Sequence, residues 1–218
     1  MRSARTAVRL AVGATTAIAL LSGAGAAQAA TGQHAKLGTR SLAQVLAGDT
    51  RGFDHNSHDF DVLSAAVNAV LKAKPASPVK VLADGKTAVT AFLPNDAAFR
   101  LLVADITGKK AWPSEKQAFT AVAGLGINTV EKVLLYHVVP GATIDRRAAL
   151  KSDGAKLATA AGATVKVDVY GRHWWKKVRL IDADRNDRDP RVVKFDVNRG
   201  NKQIAHVIDR VLRPADLP

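Results

Sequence analysis

The 218-residue chain reads as an α+β fold. Three observations lead there. Apolar residues recur at helical spacing in the first part of the chain, as at Leu63, Ala66, Val67, Val70 and Leu71. After Gly141 the pattern turns to alternation, most cleanly in Thr164 to Tyr170, where Val165, Val167 and Val169 share one face. No internal repeat and no Pro/Ser linker separates the halves, so helices and a mainly antiparallel β part form one domain.

Composition sets the outer bounds. Hydrophobic residues make up 47% and charged ones 23%, as in ordinary globular proteins. The absence of cysteine excludes disulfides, thiolate nucleophiles and zinc–thiolate centres. A formal net charge of +13 points to anionic partners. Arg2, Arg5 and Arg9 precede a short apolar run, Leu10 to Leu21, and Ala27-Gln28-Ala29 follows. That order is expected of a secretory signal peptide over residues 1–29. The run is too short and too rich in small residues for a membrane anchor, which needs about 20 apolar residues. A polar leader is expected over 30–40 and the folded domain over 41–214. Removing the signal segment takes three arginines and no acids, leaving a basic exported protein.

Within the domain, Ser41 is placed to cap a helix carrying Leu42, Val45 and Leu46. The polar loop Asp49 to Phe60 includes Asp54, His55, Asn56, His58 and Asp59. Their spacing fits no metal-ligand template, and turn and capping roles are expected for them. Asp61 is expected to cap a helix over Val62 to Lys72, ended by Pro75 and Pro78. Val79 to Leu82 is read as a short strand, with Asp84-Gly85 turning the chain into a second strand, Ala88 to Leu93. Asn95 then caps a helix whose first turn gains the negative charge of Asp96. Ser114 with Gln117, and Asn128 with Glu131, have capping-box spacing and open two further helices. The second runs into Leu134, Leu135 and Tyr136. Short β structure is expected at Ala142 to Ile144, then strands at Thr164 to Tyr170, Val178 to Ile181, Arg191 to Val197 and Ile204 to Leu212.

Candidate sites are few. Tyr136 and His137 sit between apolar runs, so burial with satisfied polar atoms is expected. No nucleophile elbow, zinc-binding helix or phosphate loop accompanies them, which argues against catalysis. His206 reads as a core histidine, and no metal or cofactor is expected. Asp182 to Pro190 begins like a calcium loop, but Asp187 replaces its glycine and Val193 its bidentate glutamate. A solvated loop is expected there. Trp174 and Trp175 beside Lys176 and Lys177 suit contact with a sugar, an anionic polymer or a membrane surface, with core closure by one indole as the competing role.

Three segments carry a resemblance. They are Val89 to Phe99 (VTAFLPNDAAF), Val133 to Gly141 (VLLYHVVPG) and Asn201 to Pro214 (NKQIAHVIDRVLRP). In order, they resemble the signature segments of the fasciclin domain family, and the likeness extends from about Ser41 to Pro214. The resemblance implies a single fasciclin-like domain with helices packed beside a β wedge, and a secreted adhesion module without catalysis; the bacterial style of the expected signal peptide favours cell-wall association. It also implies a receptor-contact role for the Tyr136–His137 region; on Trp174 to Lys177 it is silent. Expected partners are a cell-surface protein or an anionic cell-wall or matrix polysaccharide, rather than nucleic acid. The rival classes are an extracellular polysaccharide-acting enzyme, which needs paired catalytic carboxylates, and a small-ligand carrier, which needs a deep apolar pocket.

Overall fold

Helices come first. In the computed structural model, which describes residues 36–49, 51–108 and 112–217, α1 spans Leu42–Leu46, α2 Asp61–Ala73, α3 Asp96–Thr107, α4 Glu115–Gly124 and α5 Ile127–Tyr136. The expected signal segment, residues 1–29, lies outside the described residues. Ser41 accepts from Gln44 N–H and Gln44 returns the bond to Ser41 N–H, which closes the capping box of α1. Ser114 and Gln117 do the same for α4.

Strands then interleave with the helices. β1 (Val89–Pro94) lies inside a four-stranded sheet of order β2-β1-β7-β6, with β2 at Val138–Pro140, β6 at Val192–Val197 and β7 at Gln203–Ile208. A second sheet has the order β3-β4-β5, from Lys156–Ala158, Thr164–Tyr170 and Lys177–Ile181. A short helix, α6 (Arg146–Ala149), precedes β3. Pairing is antiparallel as expected, except at the centre, where β1 and β7 run parallel from Val89↔Gln203 to Pro94↔Ile208. The long connection from β1 to β7 leaves room for that arrangement.

Every residue of β1 and of β7 is buried. The alternation is hidden because each face meets a core of its own. Val89, Ala91 and Leu93 face a helical core with Leu42, Val62, Val70, Leu102 and Leu134. Phe92 faces a second core with Val139, Val165, Val167, Leu180 and Leu212. Burying each such large side chain stabilises the fold by about 1.5–3 kcal/mol.

Four local expectations are corrected. Val79 to Leu82 belong to a 3-10 helix, Pro78–Ala83, because Ser77 accepts from Val79 N–H and Pro78 starts the turn. Asp61 is the first residue of α2 rather than its cap, and Asp96 of α3 accepts from Asp61 N–H (3.1 Å) and Val62 N–H (2.9 Å) in its place. α5 starts after Gly126 without a side-chain cap, since Asn128 and Glu131 are both engaged by Lys74. Ala142 to Ile144 form no strand: Thr90 Oγ1 donates to Ala142 O and accepts from Ile144 N–H, which holds this stretch outside a ladder.

Among the described residues no single helix is long and apolar enough to cross a membrane. α4 and α5 pass such a test only as a pair bent by 108°. Their Ala118, Val122, Val130, Val133 and Leu134 face the helical core.

Candidate functional site

Tyr136 and His137 lie at the junction of α5 and β2, and both are buried. Tyr136 donates its hydroxyl to Thr164 O (3.0 Å), and burial pushes that phenol up to about 12. The ring of His137 is held at both nitrogens. Nδ1 lies 2.7 Å from Val133 O, and Nε2 accepts from Leu212 N–H at 2.9 Å. A carbonyl at one nitrogen and an amide at the other fix the neutral tautomer with the proton on Nδ1. Burial lowers its pKa to about 4. His137 therefore ties the end of α5 to the strap after β7. Both side chains are buried, so a receptor-contact role for this region, which the resemblance implies, would fall to the residues that cover them. His206 is similarly committed: Nε2 lies 2.9 Å from Ile144 O, and Nδ1 accepts from Asp196 N–H at 3.2 Å.

The loop after β5 also departs from expectation. It is not simply solvated. Asp184 is 5% exposed and lies 3.1 Å from Arg213 Nη1. Asp105 and Asp187 meet the other guanidinium nitrogen at 2.9 and 2.8 Å. Asp182 accepts from the Arg213 and Asp184 amides. These acids anchor a buried arginine.

The tryptophans are displayed instead. Residues His173–Trp175 form one 3-10 turn ahead of β5, where Trp174 is 79% and Trp175 69% exposed. Gly171 makes this turn possible. Its φ is +95°, and a Cβ there would sit 2.5 Å from Trp175 O. Trp174 and Lys176 line an open groove with Arg146, Arg147, Lys151 and Arg199. Trp175 and Lys177 are exposed but lie outside that lining. The sequence reading missed the other cations because they come from α6, the turn after it and the β6–β7 turn. An alternating basic and small-residue stretch carries no signal of what it will face.

The groove's charge is poorly balanced. Two carboxylates line it, Asp145 and Asp196. Both are engaged by backbone: Asp145 accepts from Ala148 N–H (2.8 Å), and Asp196 from Arg146 N–H (2.7 Å). Among the described residues none of the five cations pairs with a carboxylate within 4.0 Å. Arg146 is steadied by the Phe195 ring, 5.7 Å from its guanidinium carbon. The apolar hollow among α2, α3, α4 and α5 is of another kind. It is lined by Ala66, Phe99, Leu102, Val130 and Leu134 and offers only water-sized space.

Comparison with known proteins agrees with the resemblance. No curated protein matches the chain. A solved domain pair from the insect cell adhesion molecule Fasciclin I is similar at 15% identity and a TM-score of 0.47, covering 69% of this chain and 45% of that one. This chain thus spans less than half the length of that structure. The Fasciclin domain profile matches residues 61–214, a range that holds α2 through β7 and all three signature segments. Domains of this kind occur in adhesion-type proteins and are typically extracellular or surface-associated. By that match, over more than half its length, the chain belongs to the fasciclin domain family.

Proposed function

We infer that this protein is an exported, non-catalytic binding module that holds an acidic cell-wall or matrix polysaccharide in the Trp174 groove. The observation that carries the reading is the set of five cations, Arg146, Arg147, Lys151, Lys176 and Arg199, gathered beside an exposed indole. Long-range attraction draws a polyanion in, and the indole face adds short-range contact with sugar rings. The carrier reading finds little support in a water-sized apolar hollow. Export rests on the Arg-rich start and the Ala27-Gln28-Ala29 site, and N-terminal sequencing of extracellular protein is expected to begin near Ala30.

The test is binding of the exported chain to immobilised polygalacturonate, with uncharged dextran as control. Raising salt from 0.1 M to 1 M shortens the Debye length from ~10 Å to ~3 Å and should remove most of the affinity. Arg146→Gln with Arg147→Gln and Lys151→Gln should weaken binding at low salt by roughly tenfold or more, since each lost surface pair is worth up to about 1 kcal/mol. Trp174→Ala should weaken the part that survives high salt. Trp175→Ala and Lys177→Gln, outside the groove, should do less. No binding to the polymer at low salt would end this reading. Release of soluble fragments from the polymer would favour an enzyme instead.

A further inference from the structure

A second cluster, separate from the groove, collects where three helices begin. Asp61, Asp96 and Glu115 are the first residues of α2, α3 and α4. Each alone suits the positive end of its helix. The fold brings all three together and adds Asp54 and Asp59 from the preceding loop. One carboxylate oxygen from each of Asp59, Asp61 and Asp96 lies within 4.8 Å of the other two. The same holds for Asp54, Asp61 and Glu115, so Asp61 belongs to both sets.

Part of this cluster is buried and under-partnered. Asp61 is 7% and Glu115 1% exposed, yet Asp61 Oδ2 and Glu115 Oε2 have no hydrogen-bond partner, and neither does either oxygen of Asp59. Glu115 Oε1 meets Arg100 Nη2 at 2.8 Å. Arg51, largely exposed, is shared among Asp49, Asp54 and Asp59 at 3.0, 3.4 and 3.6 Å. Six carboxylates thus face two guanidinium groups and three helix ends worth roughly half a charge each. With all six ionised, an excess of between about two and three negative charges would remain, in a place where unpaired charge is costly. Burial, then Asp59, pushes Asp61 up to about 6; burial and the neighbouring Asp59 push Asp96 to about 8.

We propose that Asp54, Asp61 and Glu115 form a binding site for a hard divalent cation of the calcium type, with Asp59 and Asp96 on the other side of Asp61. The spacing suits it, because oxygens 2.3–2.6 Å from one Ca²⁺ lie at most ~5 Å from each other, as those of Asp54, Asp61 and Glu115 do. The donor set suits it too. All ligands are carboxylate oxygens, while the nearby His55 and His58 stay exposed. Magnesium keeps a regular, water-rich shell and fits a cluster of buried carboxylates less well. The ion would bind the N-termini of α2 and α4 into one unit with Asp54 of the preceding loop.

Calorimetric titration of the chain with CaCl₂ after chelator treatment should give one saturable site, with Kd on the order of 10⁻⁴–10⁻³ M as in extracellular calcium modules. Asp61→Asn and Glu115→Gln should each weaken it at least tenfold. Asp54→Asn, in a partly exposed loop, tests the same site without a buried change. A local reporter is built in, because Trp112 lies 5.8 Å from the Arg100 guanidinium that holds Glu115. Terbium at the site should therefore emit when indole is excited, lose that emission with Trp112→Phe, and be displaced by calcium. Arg147→Gln, in the groove, should leave calcium binding unchanged. Saturation by MgCl₂ with the same loss in the variants would support a hard-cation site. No calcium saturation and no sensitised terbium emission would overturn the proposal. So would undiminished binding in all three carboxylate variants, or stability that responds to pH and not to calcium, since protons would then be what neutralises the cluster.

Discussion

Replacing His137 should unfasten the end of α5 in a way that depends on pH. The helix ends with its His137 amide bonded to Leu134 O, so Val133 O is left to the ring Nδ1. On the other side, the buried Leu212 amide has the ring Nε2 as its partner. His137→Ala orphans one acceptor and one donor at once. At roughly 1–3 kcal/mol for each buried group left without a partner, the loss at pH 7 should be about 3 kcal/mol. His137→Gln can still offer an oxygen to the Leu212 amide and should lose about half as much. The pH effect has a definite sign. Folding lowers this imidazole from 6.5 to about 4, so between those values the unfolded chain binds the extra proton. The parent's stability from this group is complete above pH 6.5 and falls as pH drops toward 4, by at most about 3 kcal/mol. Asp61, Asp96 and Asp182 act oppositely, because their raised values make the folded chain the better proton binder on acidification. Comparing parent and variant cancels those groups. Urea unfolding at pH 7 and pH 4.5 should show a smaller acid loss in both variants than in the parent. Equal acid losses, or a pH 7 midpoint for His137→Ala equal to the parent's at unchanged slope, would refute the reasoning.

Two other perturbations probe the frame around the sites. Arg213→Met should cost about 3–5 kcal/mol in chemical unfolding, because it strips the guanidinium from buried Asp184 and from Asp105 and Asp187. Gly85→Ala would drive a Cβ into the backbone oxygen of Thr39, so thermal unfolding should show a loss of about 1–3 kcal/mol as the entry to α1 shifts.

Much of the fold was legible in the sequence because it is written in local periods. The 3.6-residue stripe of α2, the Ser41 cap of α1, the capping pair of α4, and the alternation of β4 are each set by neighbours along the chain. The buried, bonded state of His137 was also legible, since a polar ring between apolar runs must find partners. So was the family, because three ordered segments combine strand, turn and cap signals at fixed places.

What the sequence left open depends on groups far apart along it. The apolar content of Val79 to Leu82 pointed to a strand, whereas the Ser77 cap and Pro78 wind it as a 3-10 helix. Asp61 looked like the cap of α2 and Asp96 like a first-turn charge of α3; packing α2 against α3 made Asp96 the cap of α2 and left an oxygen of Asp61 unpartnered. The Trp174 groove needs Arg146, Arg147 and Arg199 from other turns, and the carboxylate cluster needs the starts of three helices. Charge along a chain states how much must be balanced. Only the tertiary fold decides which charges meet, because Coulomb attraction and desolvation depend on distance and burial in space rather than on separation in sequence.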